Sequence, residues 1–247
     1  MASPDALLGA GLYETLRISQ GMAMHGERHL ERLTTSAGTL GLPMPARSSF
    51  AGAIAGASGA GDVVRVRLHA AGGEPELRAE RRLAAAPEPL RLTVLRGWYA
   101  PGYVLREHKL TSHFHGVQGR RLALAGGWDD ALLVAGDGRV GEGTNANVVL
   151  LAADVLVTPS VDGLLPGVCR AALLEAALAL GLPVEERPVA LDELFGAQAI
   201  LFTSSPRGLS EAVELDGREL SRMEPDLLAL LRDGVDAGAR AHALALP

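Results

Sequence analysis

The sequence predicts a mixed α/β fold, α+β in the segregation of its elements, with two subdomains, and three observations predict it. Segments with period-two alternation, such as DVVRVRLHA (62–70), are interleaved with segments of helical spacing, such as ERHLERLTTSAGTLGL (27–42). The stretch GWYAPGYVL (97–105), with two glycines and a proline, breaks the pattern near the middle. At 247 residues the chain is long enough for one large domain or two modest ones. We therefore expect a small N-terminal α/β domain over 1–98, a linker over 99–106 and a larger C-terminal domain over 107–247.

The elements follow in order. GLYETLRI (11–18) has the composition of a strand and ends in a Ser19-Gln20-Gly21 turn. In 27–42, apolar residues at 30, 33, 37 and 40 share one helical face, and Gly41 and Pro43 stop the helix. Strict Val/Arg alternation makes 62–70 a half-buried strand with arginines on one face, and ELRAERRLAA (76–85) and LRLTVLRG (90–97) continue in this style. After the break come a helix over 114–126, the strand DALLVA (130–135), the turn GDGR and the strands NVVLLAA and VLVTP. Pro166-Gly167 opens the helix of LPGVCRAALLEAALALGL; VEERPV, the short helix LDELFGA and the apolar strand AILFTSS (199–205) complete the series. No internal repeat is present.

Composition narrows the function classes. The net charge is −6 and no Lys/Arg stripe forms, so nucleic acid is not an expected partner. Cys169, the single cysteine, excludes an internal disulfide framework and a multi-cysteine metal site, and suits a reducing cytoplasm. The N-terminus lacks the basic and apolar regions of a signal peptide. The longest apolar stretch, AALLEAALALGL, is interrupted by Glu175 and is too short to span a bilayer. A soluble cytoplasmic protein without a membrane partner is expected.

Chemistry concentrates first in LREHKLTSHFHG (105–116). His108, His113 and His115 are spaced by five and two, and in an extended chain the last two share a face and could chelate a metal. No carboxylate cluster accompanies them, so no metal is expected. Lys109 lies just after the interdomain break, in a chain where arginine supplies nearly all the positive charge. Forming a Schiff base is the leading task that lysine performs and arginine does not. Glu142, in RVGEGTNANVV, is either an exposed turn residue or an acid that holds a heterocyclic nitrogen. LLPGVCR (164–170) offers backbone N–H groups at a helix start, and LFTSSPRG (201–208) offers hydroxyls and amides at a strand end; both suit an anion. Lysine, acid and two anion sites in this order meet the requirements of one cofactor, pyridoxal 5′-phosphate.

Taken together these residues resemble the class IV aminotransferase family, the fold-type IV pyridoxal-phosphate enzymes. GLYETLR resembles the family's G-x-F-E-T-x-R strand, and HLERLTTSAGTLGLP its H-x-x-R-L-x-x-S-A-x-x-L-G helix. DDALLVAGDGRVGEGTNANV resembles D-E-x-L-x-L-D-x-x-G-x-V-x-E-G-x-x-x-N; LLPGVCR and LFTSS follow, and Lys109 sits where the family's Schiff-base lysine sits. The resemblance implies that the larger domain binds the cofactor and that Lys109 moves a proton between the substrate Cα and the cofactor. It further implies that Glu142 pairs with the pyridine nitrogen and that Arg32, Gly167, Val168, Ser204 and Ser205 hold the phosphate. Leu165 would pack on the ring face and Asn147 would support the loop carrying Glu142. Tyr13, Arg67 and His113 are weaker candidates for the substrate pocket, Arg67 pointing to solvent being the alternative.

Three departures stand out. The family's usual first strand, with an Asn-Gly turn some twenty residues before the F-E-T motif, has no counterpart before Gly11, so a trimmed small domain or a misplaced start is expected. Phe114 stands where branched-chain aminotransferases carry a tyrosine that bonds the cofactor's phenolic oxygen, unless His113 or Ser112 replaces that donor. LSEAV (209–213) replaces a V-x-P-V segment near the substrate carboxylate. The implied activity is that of an aminotransferase or, given EGTNANV and the short length, a 4-amino-4-deoxychorismate lyase acting on an amino-acid or amino-chorismate-type substrate. Family members usually form homodimers. A non-catalytic binding protein of the same fold is the alternative, and a histidine-based metal hydrolase the remotest.

Overall fold

The computed structural model describes residues 8–59, 63–83 and 88–247, and the chain falls into two compact units. Residues 1–7, which bear on the leader reading, together with Asp62 and residues 84–85 of two expected strands, lie outside the described residues. One unit takes the described residues of Met1–Ala85 together with His108–His113 and Ala237–Pro247; the other takes those of Ala86–Glu107 and Phe114–Asp236.

The first unit is built on a five-stranded sheet among its described residues. β1 (Gly11–Ser19) turns through Gln20 and Gly21, both at positive φ, into β2 (Met22–Ala23). Helix α1 (Gly26–Leu40) ends on Gly41 in the left-handed conformation, as its sequence position requires. α2 (Arg47–Ala57) follows, then the hairpin of β3 (Val63–Ala71) and β4 (Glu74–Arg82) through Gly72 and Gly73. β3 pairs antiparallel with β1 from Gly11↔His69 to Arg17↔Val63. Alternation sends Leu12, Leu16, Val64, Val66 and Leu68 inward, where they meet Leu33 of α1 and Phe50 and Ile54 of α2. Near the C-terminus, β14 (Leu244–Ala245) pairs with β2. α2 was not expected: RSSFAGAIAGA is rich in Ala, Gly and Ser, and its short apolar face of Phe50, Ala51 and Ile54 gives little period to read.

Residues 109–111 join this unit as a strand fragment. Tyr13 N–H donates to the Lys109 carbonyl and Thr111 N–H to the Gly11 carbonyl, both at 2.8 Å, and Leu12 bridges Leu110 antiparallel. Lys109 and Leu110, expected in the larger domain, thus take their backbone partners from β1.

The second unit carries a nine-stranded mixed sheet among its described residues, in the order β10-β9-β8-β11-β12-β5-β6-β7 with β13 added beside β12. Its members are β5 (Leu90–Leu95), β6 (Asp130–Val134), β7 (Val140–Gly143), β8 (Asn147–Ala152), β9 (Val155–Thr158), β10 (Val184–Glu186), β11 (Ala199–Ser204), β12 (Gly208–Leu215) and β13 (Arg218–Glu219). β7 also pairs with β8 through Glu142↔Asn147, so six strands close into a ring. β5, expected in the 1–98 domain, runs parallel to both β12 and β6 in this ring. Ladder hydrogen bonds, not proximity in sequence, decide the membership of β5.

Inside the ring, Leu92, Leu132, Val148, Leu150, Ile200 and Phe202 pack together. On the opposite face, Val149, Leu151 and Leu201 meet Cys169 and Leu173 of helix α4 (Val168–Ala179) and Leu228 and Leu231 of helix α5 (Pro225–Ala241). α3 (Phe114–Ala125), expected over 114–126, covers Ala131 and Leu133 with Ala123. LDELFGA forms a 3-10 helix over Leu191–Gly196, and only Val184–Glu186 of VEERPV is strand. α5 was missed, although Leu228, Leu231, Val235 and Ala239 mark its buried stripe.

Candidate active site

In the second unit the chemistry is gathered by strand register. Glu142 of β7 pairs with Asn147 of β8, and Asn147 pairs with Thr203 of β11. Directly opposed residues of antiparallel strands point to the same face, so these three side chains form one row. The Asn147 amide donates to the Leu165 carbonyl at 2.9 Å, tying the row to the loop that leads into α4. A Cβ on Gly167, the N-cap of α4, would stand 1.8 Å from Asn147 Oδ1; glycine is what lets this helix start approach. No side chain caps α4, and the buried Thr203 hydroxyl has no hydrogen-bond partner among the described residues. The helix end is fixed by buried Arg170, which donates to Thr158 Oγ1 at 3.2 Å and to the Pro159 carbonyl at 3.0 Å. Ser204 ends β11, and its carbonyl accepts the Arg207 N–H in the turn containing Ser205.

Glu142 is no exposed turn residue: it lies on β7 with its side chain 13% exposed. The glycines on either side explain the local sequence. A Cβ on Gly141 would stand 2.0 Å from the Tyr99 hydroxyl, and one on Gly143 would stand 2.5 Å from the buried Phe202 ring. Replacing Gly143 with alanine is expected to destabilise the protein by about 1–3 kcal/mol, since Phe202 has no room to retreat. A urea midpoint unchanged from wild type would contradict this. The loop beyond Glu142 is pinned by buried Asp130, which accepts from Thr144 Oγ1 at 2.6 Å and from Arg120 at 3.0 Å.

Sequence reasoning missed Arg106, in the 3-10 turn Val104–Glu107. Its guanidinium donates to Glu142 Oε1 at 2.6 Å and lies 3.6 Å from the Tyr99 ring centroid. Burial pushes the Tyr99 phenol up to about 12, so the ring beneath Arg106 stays neutral.

In the first unit, Lys109 Nζ lies 4.8 Å from the centroid of the buried Tyr13 ring, with Arg65 at 4.9 Å from the same ring. The His113 ring is 6.3 Å from that of Tyr13. Arg67 pairs with Glu80 at 2.9 Å. Arg32 is bound to Glu14, donating through Nε at 2.9 Å and Nη2 at 2.6 Å, while His29 Nδ1 lies 2.7 Å from the same carboxylate. Burial works to raise the Glu14 carboxyl, but the Arg32 charge and the His29 and Arg32 hydrogen bonds overcome it and bring it down to about 2.

The three histidines near Lys109 go separate ways. His108 Nδ1 is 3.0 Å from Ser36 Oγ in the first unit, whereas His115 belongs to the second, where burial and then Arg106 lower it. No group of three or more His, Cys, Asp or Glu among the described residues is arranged to hold a metal ion. Phe114 opens α3 with 66% of its surface exposed.

A model of the amino-transferase class IV family matches residues 11–215. The chain belongs to this family. It is 29% identical over 248 residues to a bifunctional aminodeoxychorismate lyase / D-amino acid transaminase of Mycobacterium tuberculosis, covering 88% of this chain and 86% of that one. It is also 29% identical over 240 residues to branched-chain-amino-acid aminotransferase-like protein 2 of Arabidopsis thaliana, covering 85% of this chain but only 42% of that one. Among solved structures, a hypothetical aminotransferase from Mycobacterium tuberculosis in its PLP-bound form superposes with a TM-score of 0.86 at 26% identity, over 97% of this chain and 92% of that one. The class IV match takes in β1, α1, Lys109, the β7–β8 turn, α4 and β11, so every motif singled out above falls inside it. No helix among the described residues is long and apolar enough to cross a membrane.

Proposed function

We propose that this chain is a pyridoxal-5′-phosphate-dependent aminotransferase acting on an amino-acid-like substrate, with Lys109 as its Schiff-base residue. The observation that carries the reading is the row Glu142–Asn147–Thr203, which lines up an acid with an uncapped helix start and a buried, unpartnered hydroxyl. Class IV membership and the PLP-bound neighbour support the cofactor. The residues fit it: an anion suits the α4 N-terminus and the Thr203 hydroxyl, and Gly167 keeps that approach open.

In this reading the amides of Gly167 and Val168, with Ser204, Ser205 and Arg32 oriented by Glu14, hold the phosphate. Glu142 pairs with the pyridine nitrogen, Leu165 packs on the ring face, and Asn147 holds the Leu165 loop. When bound, the cofactor supplies an electron sink for bond breaking at the substrate Cα. Lys109 Nζ takes the Cα proton and returns it, lying over the face of Tyr13 while it carries that proton. Tyr13, Arg67 and His113 line the substrate side. We assign the protein to the cytoplasm as a homodimer, without nucleic-acid or membrane partners.

A second reading is a 4-amino-4-deoxychorismate lyase, favoured by the EGTNANV segment and by the bifunctional relative that the alignment covers for 86% of its length. Pyruvate release from aminodeoxychorismate, against amino transfer to a keto acid, separates the two. The cofactor itself is tested by spectrum: the purified protein should show a visible band abolished by borohydride. Because Lys109 is the only lysine in the sequence, reduction should place the added mass on one peptide. A colourless protein that takes up no added pyridoxal phosphate would sink the reading and leave a non-catalytic binding protein.

A further inference from the structure

We infer that Arg106, backed by the Tyr99 ring, is a positioning residue that sets the aim of the Glu142 carboxylate toward the cofactor's ring nitrogen. The inference rests on the cofactor reading above and extends it to residues that the reading does not use.

Arg106 is not a surface arginine that happens to touch an acid. Its side chain is 5% exposed, and of its three nitrogens only Nη2 has a hydrogen-bond partner, Glu142 Oε1 at 2.6 Å. Nε and Nη1 are buried without a partner. Leaving two guanidinium N–H edges unsatisfied costs stability, and a neutral side chain in its place would avoid that cost. What remains to hold the guanidinium is the Tyr99 face at 3.6 Å and the single charge-assisted bond.

The surroundings are built for this stack. Gly141, next to Glu142, leaves the space that the Tyr99 hydroxyl occupies, so any side chain there would push Tyr99 from beneath Arg106. The Tyr99 ring thus lies on the face of the guanidinium while one of its N–H edges holds the Glu142 carboxylate. A carboxylate held against a fixed buried cation needs little reorganisation when a protonated ring nitrogen arrives.

The test compares affinity for pyridoxal 5′-phosphate with affinity for its deaza analogue, in which the ring nitrogen is replaced by C–H. Both are measured by fluorescence quenching on wild type, Arg106→Met, Arg106→Lys and Tyr99→Leu. Wild type should prefer the natural cofactor; Arg106→Met should erase about tenfold of that preference, Tyr99→Leu part of it, and Arg106→Lys should retain most. In a Glu142→Gln background, Arg106→Met should change the preference no further. A merely structural role would weaken both compounds by the same factor, and that result, or an unchanged preference in both Arg106→Met and Tyr99→Leu, overturns the inference. If Arg106→Met does not fold, Tyr99→Leu decides alone. Failure of wild type to bind either compound would instead overturn the cofactor reading, and this inference with it.

Discussion

Replacing Lys109 with alanine is expected to lower turnover by about 10⁴-fold while leaving the melting temperature within a few degrees of wild type. The two effects separate because the residue's structural work is done by its backbone. The Lys109 carbonyl accepts from Tyr13 N–H, and Leu110 and Thr111 complete the fragment against β1; none of this needs the ammonium group. The side chain's contact with the Tyr13 ring is worth about 0.5–1 kcal/mol at a half-exposed site. Steady-state kinetics and a thermal melt on the same sample check both halves. Substantial turnover by the alanine variant would remove Lys109 from the chemistry; a collapse of the fold would mean that the side chain matters to folding as well.

The second large effect is expected at Glu14. Its carboxylate is buried and holds both Arg32 and His29, so Glu14→Gln removes the negative charge from one side of a buried ion pair. Breaking such a pair from one side costs about 3–5 kcal/mol. The pH dependence has a definite sign. The folded carboxyl sits at about 2, below its ordinary 4.5, so the native state binds its proton more weakly than the unfolded chain does. The stabilisation is complete above the unfolded value and is lost as pH falls from 4.5 toward 2. The stability gap between wild type and Glu14→Gln should therefore close across that interval in urea titrations. A gap that stays constant down to the lowest pH would show that the pair is not what Glu14 contributes. Because Arg32 is also assigned to the phosphate, the same variant should weaken cofactor binding.

Much of this was legible along the chain. β1 and α1 could be read because their signals are local, strand composition in one and a 3.6-residue stripe ended by Gly41 in the other, whereas β7 was not read as a strand. The family resemblance carried by the same motifs agrees with the class IV match. What could not be read depends on partners distant in sequence. Arg106 meets Glu142 across 36 positions, and nothing in VLREH distinguishes it from a surface arginine. Glu14 and Arg32 were each visible within a motif, but only the fold shows that one holds the other. The assignment of Leu90–Leu95 and of 109–111 likewise follows from ladders with strands far away in sequence. α2 lacks a strong apolar period, whereas α5 has one that went unused.

The strand fragment at 109–111 has a consequence for how this chain tolerates change in length. Neighbouring residues of an extended segment face opposite ways, so Lys109 and Leu110 are told apart only by the pairing of Leu110 with Leu12. Leu110 packs against the core of its unit. A slip of one residue would exchange the two, driving an ammonium group into aliphatic packing and turning a leucine outward. The hydrophobic penalty on that exchange holds the native register of the segment. Insertions in the exposed stretch 100–103 can be absorbed upstream, whereas a single residue added between Leu110 and Thr111 has no register that satisfies both the apolar contact and the two flanking hydrogen bonds.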